Sequence, residues 1–273
     1  MSAVIAQLKS VKFISESAEK IAESIMSVFK GKSEVVELIL TTLFAKGHVL
    51  LEDVPGTGKT VLAKALAKSI DSSFSRIQCT PDLMPADVTG SSIFYPKTQE
   101  FQFRAGPIMS SMVLVDELNR ATPRTQSALL EAMAEGQVSV DGNTYKLPEP
   151  FFLIATENPV ESEGTFPLPE AQKDRFMMAL SIGYPDLENE ISIIEAQRSV
   201  NHPIENIKAC ISSEEIVTCQ NDVVDVHVER VVLEYILQLV NLTRTDLAIQ
   251  VGVSPRGAIA LYKACQSYAA IHN

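Results

Sequence analysis

Residues 52–60 read Glu52-Asp53-Val54-Pro55-Gly56-Thr57-Gly58-Lys59-Thr60. They follow a short apolar segment, residues 48–51, and precede a helical pattern that begins at Lys59. A Gly-rich turn between a strand and a helix gathers backbone N–H groups and the positive end of the helix dipole around one point. The turn therefore predicts a polyphosphate site, in which Lys59 reaches the β- and γ-phosphates and the Thr60 hydroxyl binds Mg²⁺.

One position departs from the strict phosphate-loop pattern G-x-x-x-x-G-K-[ST], which has Gly where this chain has Asp53. The alternative interpretation is a Gly-rich turn that binds no ligand. Because a strand pattern and a helix pattern flank the turn, we favour nucleotide binding. The predicted contacts with the nucleotide are Pro55, Gly56, Thr57, Gly58, Lys59, Thr60 and Val61.

Short apolar segments alternate with helical patterns in the middle of the chain. The apolar segments are 49–51, 112–115 and 151–155, and the helical patterns are 59–70, 124–134 and 170–176. This alternation predicts an α/β fold with a parallel sheet and crossover helices.

Helical patterns occupy both ends of the chain. Apolar residues recur at helical spacing through the first thirty residues, Gly31 stops that helix, and Ser33 caps a second helix that ends near Gly47. After Pro185 the strand patterns fade. The helical patterns that follow cover 187–198, 228–242 and 255–271. We therefore place a domain boundary near Pro185.

Two neighbouring carboxylates, Asp116 and Glu117, follow the second apolar segment. The carboxyl end of a buried parallel strand is where such sheets bind ligands. We predict that Asp116 holds Mg²⁺, usually through water, and that Glu117 is the general base that orients the attacking water. The alternative is that both acids cap the next helix. The third apolar segment leads to Asn158, which either positions water at the γ-phosphate or forms an Asx turn before Pro159.

The composition excludes several classes of protein. The chain has 273 residues, 46% of them apolar, and its 23 basic and 34 acidic side chains give a net charge of −11. Such an apolar chain is not disordered, and the acidic balance argues against a nucleic-acid partner, which requires clustered Lys and Arg. No apolar run approaches the roughly 18 residues that cross a bilayer, and the N-terminus lacks a secretory layout. We expect a cytoplasmic protein.

The cysteines and histidines show no metal-binding pattern. The four cysteines are irregularly spaced without a C-x-x-C, and the four histidines form no H-E-x-x-H pair. We expect free thiols and no structural zinc site.

Six stretches carry a resemblance to a known family. They are Leu51-Glu-Asp-Val-Pro-Gly-Thr-Gly-Lys-Thr60, Thr80-Pro-Asp-Leu-Met-Pro-Ala-Asp-Val-Thr-Gly90, Asp116-Glu-Leu-Asn-Arg-Ala121, Gln126-Ser-Ala-Leu-Leu-Glu-Ala-Met133, Ala155-Thr-Glu-Asn-Pro159 and Phe166-Pro-Leu-Pro-Glu-Ala-Gln172. Together they resemble the MoxR family of AAA+ ATPases, densely from about Val35 to Pro185. In that family the Glu-Asp-Val-Pro form of the phosphate loop is usual.

The resemblance implies an architecture and an assembly. The fold is an α/β AAA+ P-loop NTPase core with a parallel sheet, at 1–185 with its N-terminal helices, followed by a smaller all-helical lid at 186–273. Because members usually carry further lid helices, we expect this lid to be incomplete. Such chains form a ring, commonly a hexamer, with ATP at the subunit interfaces.

The resemblance also assigns roles to three polar residues. It implies that Asn158 is sensor 1, that Arg175 is the arginine finger of a neighbour's site, and that Arg256 is sensor 2 and reaches the γ-phosphate of its own subunit. An arginine finger contributes on the order of 10³–10⁵ in rate. Ser254 and Pro255 place Arg256 in the first turn of a helix. The alternatives are a helix-end charge for Arg175 and a surface position for Arg256.

Three further cations lie close to these motifs in the sequence. Arg120 and Arg124 either contact a nucleotide of the neighbouring subunit or pair with Glu131 or Glu135. Lys173 stands where the family commonly has an apolar residue.

Two segments, 91–103 and 137–147, alternate apolar and polar residues around turn residues and predict β-hairpins. They resemble the insertions of the helix-2-insert branch of AAA+ proteins, which face the ring pore. Three aromatic side chains of the first hairpin either touch a client protein or pack the hairpin against the core, and we favour packing. They are Phe94, Tyr95 and Phe101.

The function that we expect is Mg²⁺-dependent ATP hydrolysis by a ring-shaped, chaperone-like remodeller. It acts in maturation or metal-cofactor insertion of a client protein, and the resemblance implies a partner with a von Willebrand-type domain. One alternative is a nucleotide-gated assembly module with incidental turnover, and another is an ATPase subunit of a metal chelatase. A GTPase is disfavoured because the sequence has no N-K-x-D motif.

Overall fold

The computed structural model describes residues 2–160, 164–196 and 203–272. Its strands are β1 (Val49–Glu52), β2 (Phe74–Gln78), β3 (Gly90–Tyr95), β4 (Glu100–Ala105), β5 (Met112–Asp116), β6 (Gln137–Val140), β7 (Asn143–Lys146), β8 (Phe152–Glu157) and β9 (Met178–Leu180). Five of them form one sheet in the order β2-β5-β8-β1-β9, with every neighbouring pair parallel. The predicted parallel sheet is confirmed, and the carboxyl ends of its strands meet at one edge.

Two strands of this sheet, β2 and β9, are absent from the sequence-based prediction. β2 lies at one edge of the sheet, and only Ile77 of its five residues is buried. β9 has three residues at the other edge. It follows a helix that ends at Lys173 rather than at the predicted Phe176. β2 lacks the apolar run that marks β5 and β8, because an edge strand packs against fewer neighbours. β9 does lie in an apolar run, residues 176–180, but that run directly follows the predicted helix and was not assigned to a strand.

The helices are α1 (Ser2–Met26), α2 (Ser33–Phe44), α3 (Lys59–Ser69), α4 (Pro85–Thr89), α5 (Pro123–Glu135), α6 (Glu170–Lys173), α7 (Leu187–Ala196), α8 (Ser213–Asp222), α9 (Arg230–Thr245) and α10 (Pro255–His272). The predicted cap at Ser33 is wrong: Ser33 is the first residue of α2, and the cap is Lys32, without a side-chain capping bond. The first helix ends at Met26 rather than at the predicted Gly31. α8 was not predicted. The last two residues of the predicted helix 187–198 lie outside the described residues.

α1 buries the apolar face that its helical spacing predicts. Its fully buried side chains include Ile14, Ile21 and Ile25. They belong to one cluster with residues of α2, α3, α8 and α10. Ser15 Oγ donates a 2.8 Å hydrogen bond to the carbonyl of Ile271, and Ser267 Oγ donates a 2.7 Å bond to that of Thr41. The C-terminal helices thus share a core with the N-terminal ones, and a division near residue 185 stays a prediction.

Both predicted hairpins are present, as β3–β4 and β6–β7. In the second, Asp141 (φ 51°) and Gly142 (φ 80°) form a two-residue turn with left-handed backbone, as in type I′ hairpins. Phe103 of the first hairpin stacks on Tyr145 of the second, with ring centroids 3.8 Å apart. The two hairpins are therefore in direct contact.

The expectation that the aromatic residues of the first hairpin pack against the core is wrong. Phe94 is 48% exposed, Tyr95 43% and Phe101 72%. Phe94 and Phe101 lie directly opposite each other across β3 and β4, and their ring centroids are 5.3 Å apart. They pack on each other because cross-strand partners on one face of a hairpin are closer to one another than to the sheet.

The described part of the chain contains no helix that is both long and apolar enough to cross a membrane. Within those same residues, no group of three or more His, Cys, Asp or Glu side chains is placed to hold a metal ion. All four cysteines are free, as predicted. Burial raises the pKa of Cys79 and of Cys219 to about 12, so both thiols are poor nucleophiles.

Candidate active site

The phosphate loop, residues 53–58, connects β1 to α3 at the carboxyl edge of the sheet. Gly56 and Gly58 both have φ +87°, a left-handed conformation that glycine adopts without strain. A Cβ atom at Gly56 would meet nothing within 4 Å, so the backbone conformation and not the space requires glycine there. Because α3 begins at Lys59, its first N–H groups have no partner within the helix and remain available at the loop.

Asp53 has a structural role that explains its departure from the strict pattern. Its side chain is buried, and its carboxylate accepts hydrogen bonds from the backbone N–H groups of Ile182 and Gly183. These residues follow β9, the strand next to β1. Asp53 therefore fastens the start of the phosphate loop to the segment that leaves the sheet.

The Lys59 ammonium lies inside the phosphate loop. Its Nζ donates to the carbonyl oxygens of Asp53 at 3.1 Å and of Val54 at 2.7 Å. Burial lowers the pKa of Lys59, while the negative charges of Asp53, Asp116 and Glu117 act in the opposite direction. The loop thus holds one cation at its centre, with carboxylates on the far side of the cleft.

Asp116 ends β5, and its carboxylate is held on both oxygens. Thr156 Oγ1 donates to Oδ1 at 3.0 Å. Arg76 of β2 contacts Oδ2 through Nε at 2.8 Å and through Nη2 at 2.6 Å. The side chain of Asp116 is only 10% exposed, so these contacts compensate a largely desolvated charge.

Glu117 is held in a strained backbone conformation next to Asp116. Its φ of 55° is left-handed, which costs a non-glycine residue of order 1 kcal/mol. Glu117 Oε2 accepts 2.8 Å and 3.1 Å hydrogen bonds from Gln78 Nε2 and Arg120 Nη1. Arg120 therefore pairs with Glu117 rather than with an acid of α5, and Arg124 is exposed in the first turn of α5. Glu117 immediately precedes a short 3₁₀ helix, Leu118–Arg120, but its side chain makes no capping bond, and the cap of α5 is Thr122.

Asn158 follows β8, at the carboxyl edge of the sheet. Its Oδ1 accepts a 3.2 Å hydrogen bond from the N–H of Val160, which is the Asx turn offered as the alternative. Asn158 also lines the same cleft as Lys59 and Glu117. Its role as sensor 1 stays a prediction.

One cleft of about 330 Å³ collects most of the predicted site. The predicted residues that line it are Pro55, Gly56, Gly58, Lys59, Thr60, Val61, Asp116, Glu117 and Asn158. Thr57 instead lines an adjoining, mostly apolar pocket of about 250 Å³, which shares Gly56, Gly58 and Val61 with the first. A polar cleft joined to an apolar one suits a ligand with a charged chain and a flat base.

The apolar pocket contains residues that motif reasoning did not single out. Phe29, in the connection between α1 and α2, forms one wall, and Tyr184 and Ile193 form another. Only tertiary packing brings these distant segments to the phosphate loop. No local pattern in the sequence marks them.

The two predicted arginines, Arg175 and Arg256, lie together in a different cleft, which reaches His48 at the start of β1. Ser254 caps α10 as predicted: its Oγ accepts the N–H of Gly257 at 3.0 Å. Arg256 Nη1 is 3.8 Å from Asp174, and the Arg256 side chain is 59% exposed. Neither arginine lines the phosphate-loop cleft of its own chain.

Comparisons with known proteins agree with this geometry. Residues 48–178 match the family model "ATPase family associated with various cellular activities (AAA)", and residues 241–273 match an AAA lid domain. Chaperone MoxR1 of Mycobacterium tuberculosis is 37% identical over 93% of this chain and 69% of its own length. This chain belongs to the MoxR family of AAA+ ATPases. The MoxR fold, an α/β AAA+ core with a helical lid, is thereby confirmed.

Two further relatives of this MoxR chain cover most of its length. The Bacillus subtilis protein YeaC is 54% identical over 93% of this chain and 79% of its own. A crystal structure of a candidate ATPase from Cytophaga hutchinsonii superposes with a TM-score of 0.90 at 33% identity and covers all of this chain and 85% of its own.

Lys173, which departs from the usual MoxR pattern, fits its surroundings. Its Nζ lies 3.1 Å from Glu52 Oε1 and 3.6 Å from Glu157 Oε2. Glu157 is buried, and this burial raises its pKa. Lys173 thus forms an ion pair with two acids at the carboxyl edge of the sheet.

The oxygen donors in the cleft fit Mg²⁺. The Thr60 hydroxyl and the Asp116 carboxylate line it together, and hard oxygen ligands are those that Mg²⁺ prefers. Mg²⁺ is commonly held by one or two protein ligands plus phosphates and water, so a cluster of three acids is not needed. The Asp116 carboxylate is already paired with one cation, the guanidinium of Arg76.

Proposed function

We propose that this MoxR chain binds ATP with Mg²⁺ and hydrolyses it to ADP and phosphate. The observation that carries the proposal is that Lys59, Asp116, Glu117 and Asn158 line one cleft beside the N-terminus of α3. They come from the first residue of α3 and from the ends of two neighbouring strands. Three separate segments converge on one site whose parts match phosphoryl transfer.

Each side chain has a distinct part in the proposed reaction. Lys59 and the N–H groups of the loop bind the phosphates. Thr60 and Asp116 would hold Mg²⁺, which neutralises phosphate charge when bound. Glu117 accepts the proton of the attacking water as the water oxygen bonds to the γ-phosphorus and the bond to the β-phosphate oxygen breaks. Both hydrogen bonds to the Glu117 carboxylate, from Gln78 and from Arg120, end on Oε2, so the proton is accepted at Oε1.

Phosphate release measured with ATP tests this proposal. We expect turnover with Mg²⁺ that falls at least about a hundredfold in excess EDTA, because the phosphate charge is then uncompensated. Titration calorimetry with ADP should give saturable binding in the same protein. Binding of ATP in the presence of Mg²⁺ without any phosphate release would contradict the assignment as an ATPase and would favour a nucleotide-gated assembly module.

We further propose that the chain works as a ring in which Arg175 and Arg256 complete the site of a neighbouring subunit. Both lie in one cleft that is separate from the phosphate-loop cleft of their own chain. This placement favours a role in trans for Arg256, in place of the predicted role within its own subunit. Membership of the AAA+ family favours assembly into a ring, and a hexamer is the commonest form of such rings.

Subunit mixing tests this arrangement. Arg175→Ala and Lys59→Ala should each be inactive alone, yet a mixture should recover activity, because Lys59→Ala subunits supply Arg175 to intact phosphate loops. The same mixture with Arg256→Ala recovers activity only if Arg256 acts in trans. The matched control replaces Lys59→Ala by the double variant Lys59→Ala/Arg175→Ala, which should restore nothing to Arg175→Ala. Full activity of Arg175→Ala alone would contradict the finger assignment.

Chaperone-like remodelling of a client protein is the cellular role that we propose for the ring. It rests on the relative named Chaperone MoxR1. Protein maturation and metal-cofactor insertion are the forms of that role that we favour. We propose a partner with a von Willebrand-type domain and a cytoplasmic location. Client-stimulated turnover would support remodelling, and ATP-driven assembly without stimulation would support the assembly module.

A further inference from the structure

Two polar side chains of β2 point at the acids of the active site. Arg76 and Gln78 are two residues apart on one strand, so they project from the same face. Gln78 pairs in register with Asp116 of β5. Neither residue belongs to the phosphate loop or to the acidic pair, yet both line the phosphate-loop cleft.

Arg76 is the more consequential of the two because it engages Asp116 directly. Two of its nitrogens, Nε and Nη2, lie within 2.8 Å of one oxygen, Oδ2 of Asp116. Nη2 also donates a 2.8 Å hydrogen bond to Gln78 Oε1. The other oxygen of Asp116 accepts the Thr156 hydroxyl. A metal ion that binds Asp116 through Oδ2 must therefore take the oxygen that the guanidinium holds.

The energetics make Arg76 and a divalent cation competitors. Asp116 is nearly buried, and a buried carboxylate without a counter-charge is strongly destabilised. Arg76 is 46% exposed, so its guanidinium has room to swing into solvent when another cation arrives. Arginine stays charged at every accessible pH, so the exchange is one cation for another and needs no proton transfer.

We propose that Arg76 is a built-in counter-ion of Asp116, which a divalent cation must displace, so that Arg76 sets the metal requirement of nucleotide binding. Arg76 is a positioning residue in this scheme, because it acts through Asp116. The proposal deepens the proposed function and rests on Asp116 as the metal ligand. It predicts that removal of the guanidinium favours the metal and disfavours metal-free nucleotide.

The first test is a titration with Mn²⁺ alone, followed by electron paramagnetic resonance of the free ion. We expect Arg76→Gln to bind Mn²⁺ about tenfold more tightly than the wild type, because a competing charge in contact with the carboxylate is gone. Arg76→Lys keeps the charge but loses the contact through two nitrogens. Its Mn²⁺ affinity should lie between that of Arg76→Gln and that of the wild type. Arg104→Gln is the matched control, since Arg104 is exposed on β4 of the first hairpin. It should behave as the wild type.

The second test measures binding of a fluorescent ADP analogue with Mg²⁺ and with EDTA. In EDTA, Arg76→Gln should bind about tenfold more weakly than the wild type, since bare Asp116 repels the phosphates. With Mg²⁺ the affinities of Arg76→Gln and of the wild type for the analogue should agree within about threefold. In an Asp116→Asn background, Arg76→Gln should change the affinity for the ADP analogue neither in EDTA nor with Mg²⁺, because the carboxylate that Arg76 neutralises is absent.

Several outcomes would overturn the proposal. One is Mn²⁺ affinity of Arg76→Gln within twofold of the wild type. Another is equal weakening of nucleotide binding with and without Mg²⁺, which would make Arg76 a direct phosphate ligand. If Arg76→Gln fails to fold, judged by its thermal unfolding, the Mn²⁺ comparison of Arg76→Lys with the wild type decides. A wild type that binds Mn²⁺ but no nucleotide would defeat the proposed function while the Mn²⁺ comparison still judges Arg76.

Discussion

Lys59→Ala is expected to weaken ATP binding at least about a hundredfold. The Lys59 ammonium sits between two loop carbonyls, so it is already placed inside the turn that the phosphates enter. Its removal deletes charge-assisted hydrogen bonds to two phosphate groups, together worth about 3 kcal/mol, and leaves the acids of the cleft facing the phosphates. Titration calorimetry with Mg²⁺ and ATP measures the change.

The control for this variant is Lys64→Ala. Lys64 lies on the same helix, α3, and is exposed, so its replacement removes one charge without entering the cleft. It should bind ATP as the wild type does. Equal affinity of the Lys59→Ala protein and the wild type would place the phosphates elsewhere and would remove the phosphate loop from the proposed function.

The second large effect concerns Glu117. Glu117→Gln should bind ATP within about threefold of the wild type, while phosphate release falls about 10²–10³-fold. A glutamine keeps the size of the side chain and an oxygen that accepts the hydrogen bond from Gln78, but it has no basicity toward water. Loss of a general base typically costs 10²–10⁴ in rate. Binding and phosphate release measured on one preparation separate the two effects.

Glu214→Gln is the matched change for this second prediction. Glu214 is exposed in the first turn of α8, remote from the cleft, and its replacement alters the net charge equally. It should leave both binding and turnover unchanged. Undiminished hydrolysis by Glu117→Gln would contradict the assignment of Glu117 as the base. An equal loss of ATP binding and of phosphate release would show that Glu117 contributes to nucleotide binding.

The central part of the fold was predictable because its signals are local. β1, β5 and β8 are buried along their length and so appear as apolar runs. The phosphate loop is fixed by two glycines with φ +87°, a conformation that few other residues adopt. Asp116 and Glu117 come directly after an apolar run. In each case a few consecutive residues are enough to predict the local structure.

The rest depends on contacts between distant segments. Arg76 reads as an ordinary polar residue of an edge strand until the pairing of β2 with β5 brings it to Asp116. Phe29 enters the apolar pocket only because α1 ends beside the phosphate loop. Asp53 departs from the strict pattern, and the partners that explain it, Ile182 and Gly183, lie far along the chain. A motif states which residue types are present and leaves their partners unspecified.

The packing of α10 against α1 and α2 has a consequence for biosynthesis. The apolar face of α1 emerges from the ribosome well before α10, which forms part of its cover. Translation at about 5–20 residues per second separates the two by ten seconds or more. Throughout that interval the nascent chain carries uncovered apolar surface, which is the kind of surface that makes a partly synthesised chain prone to aggregation.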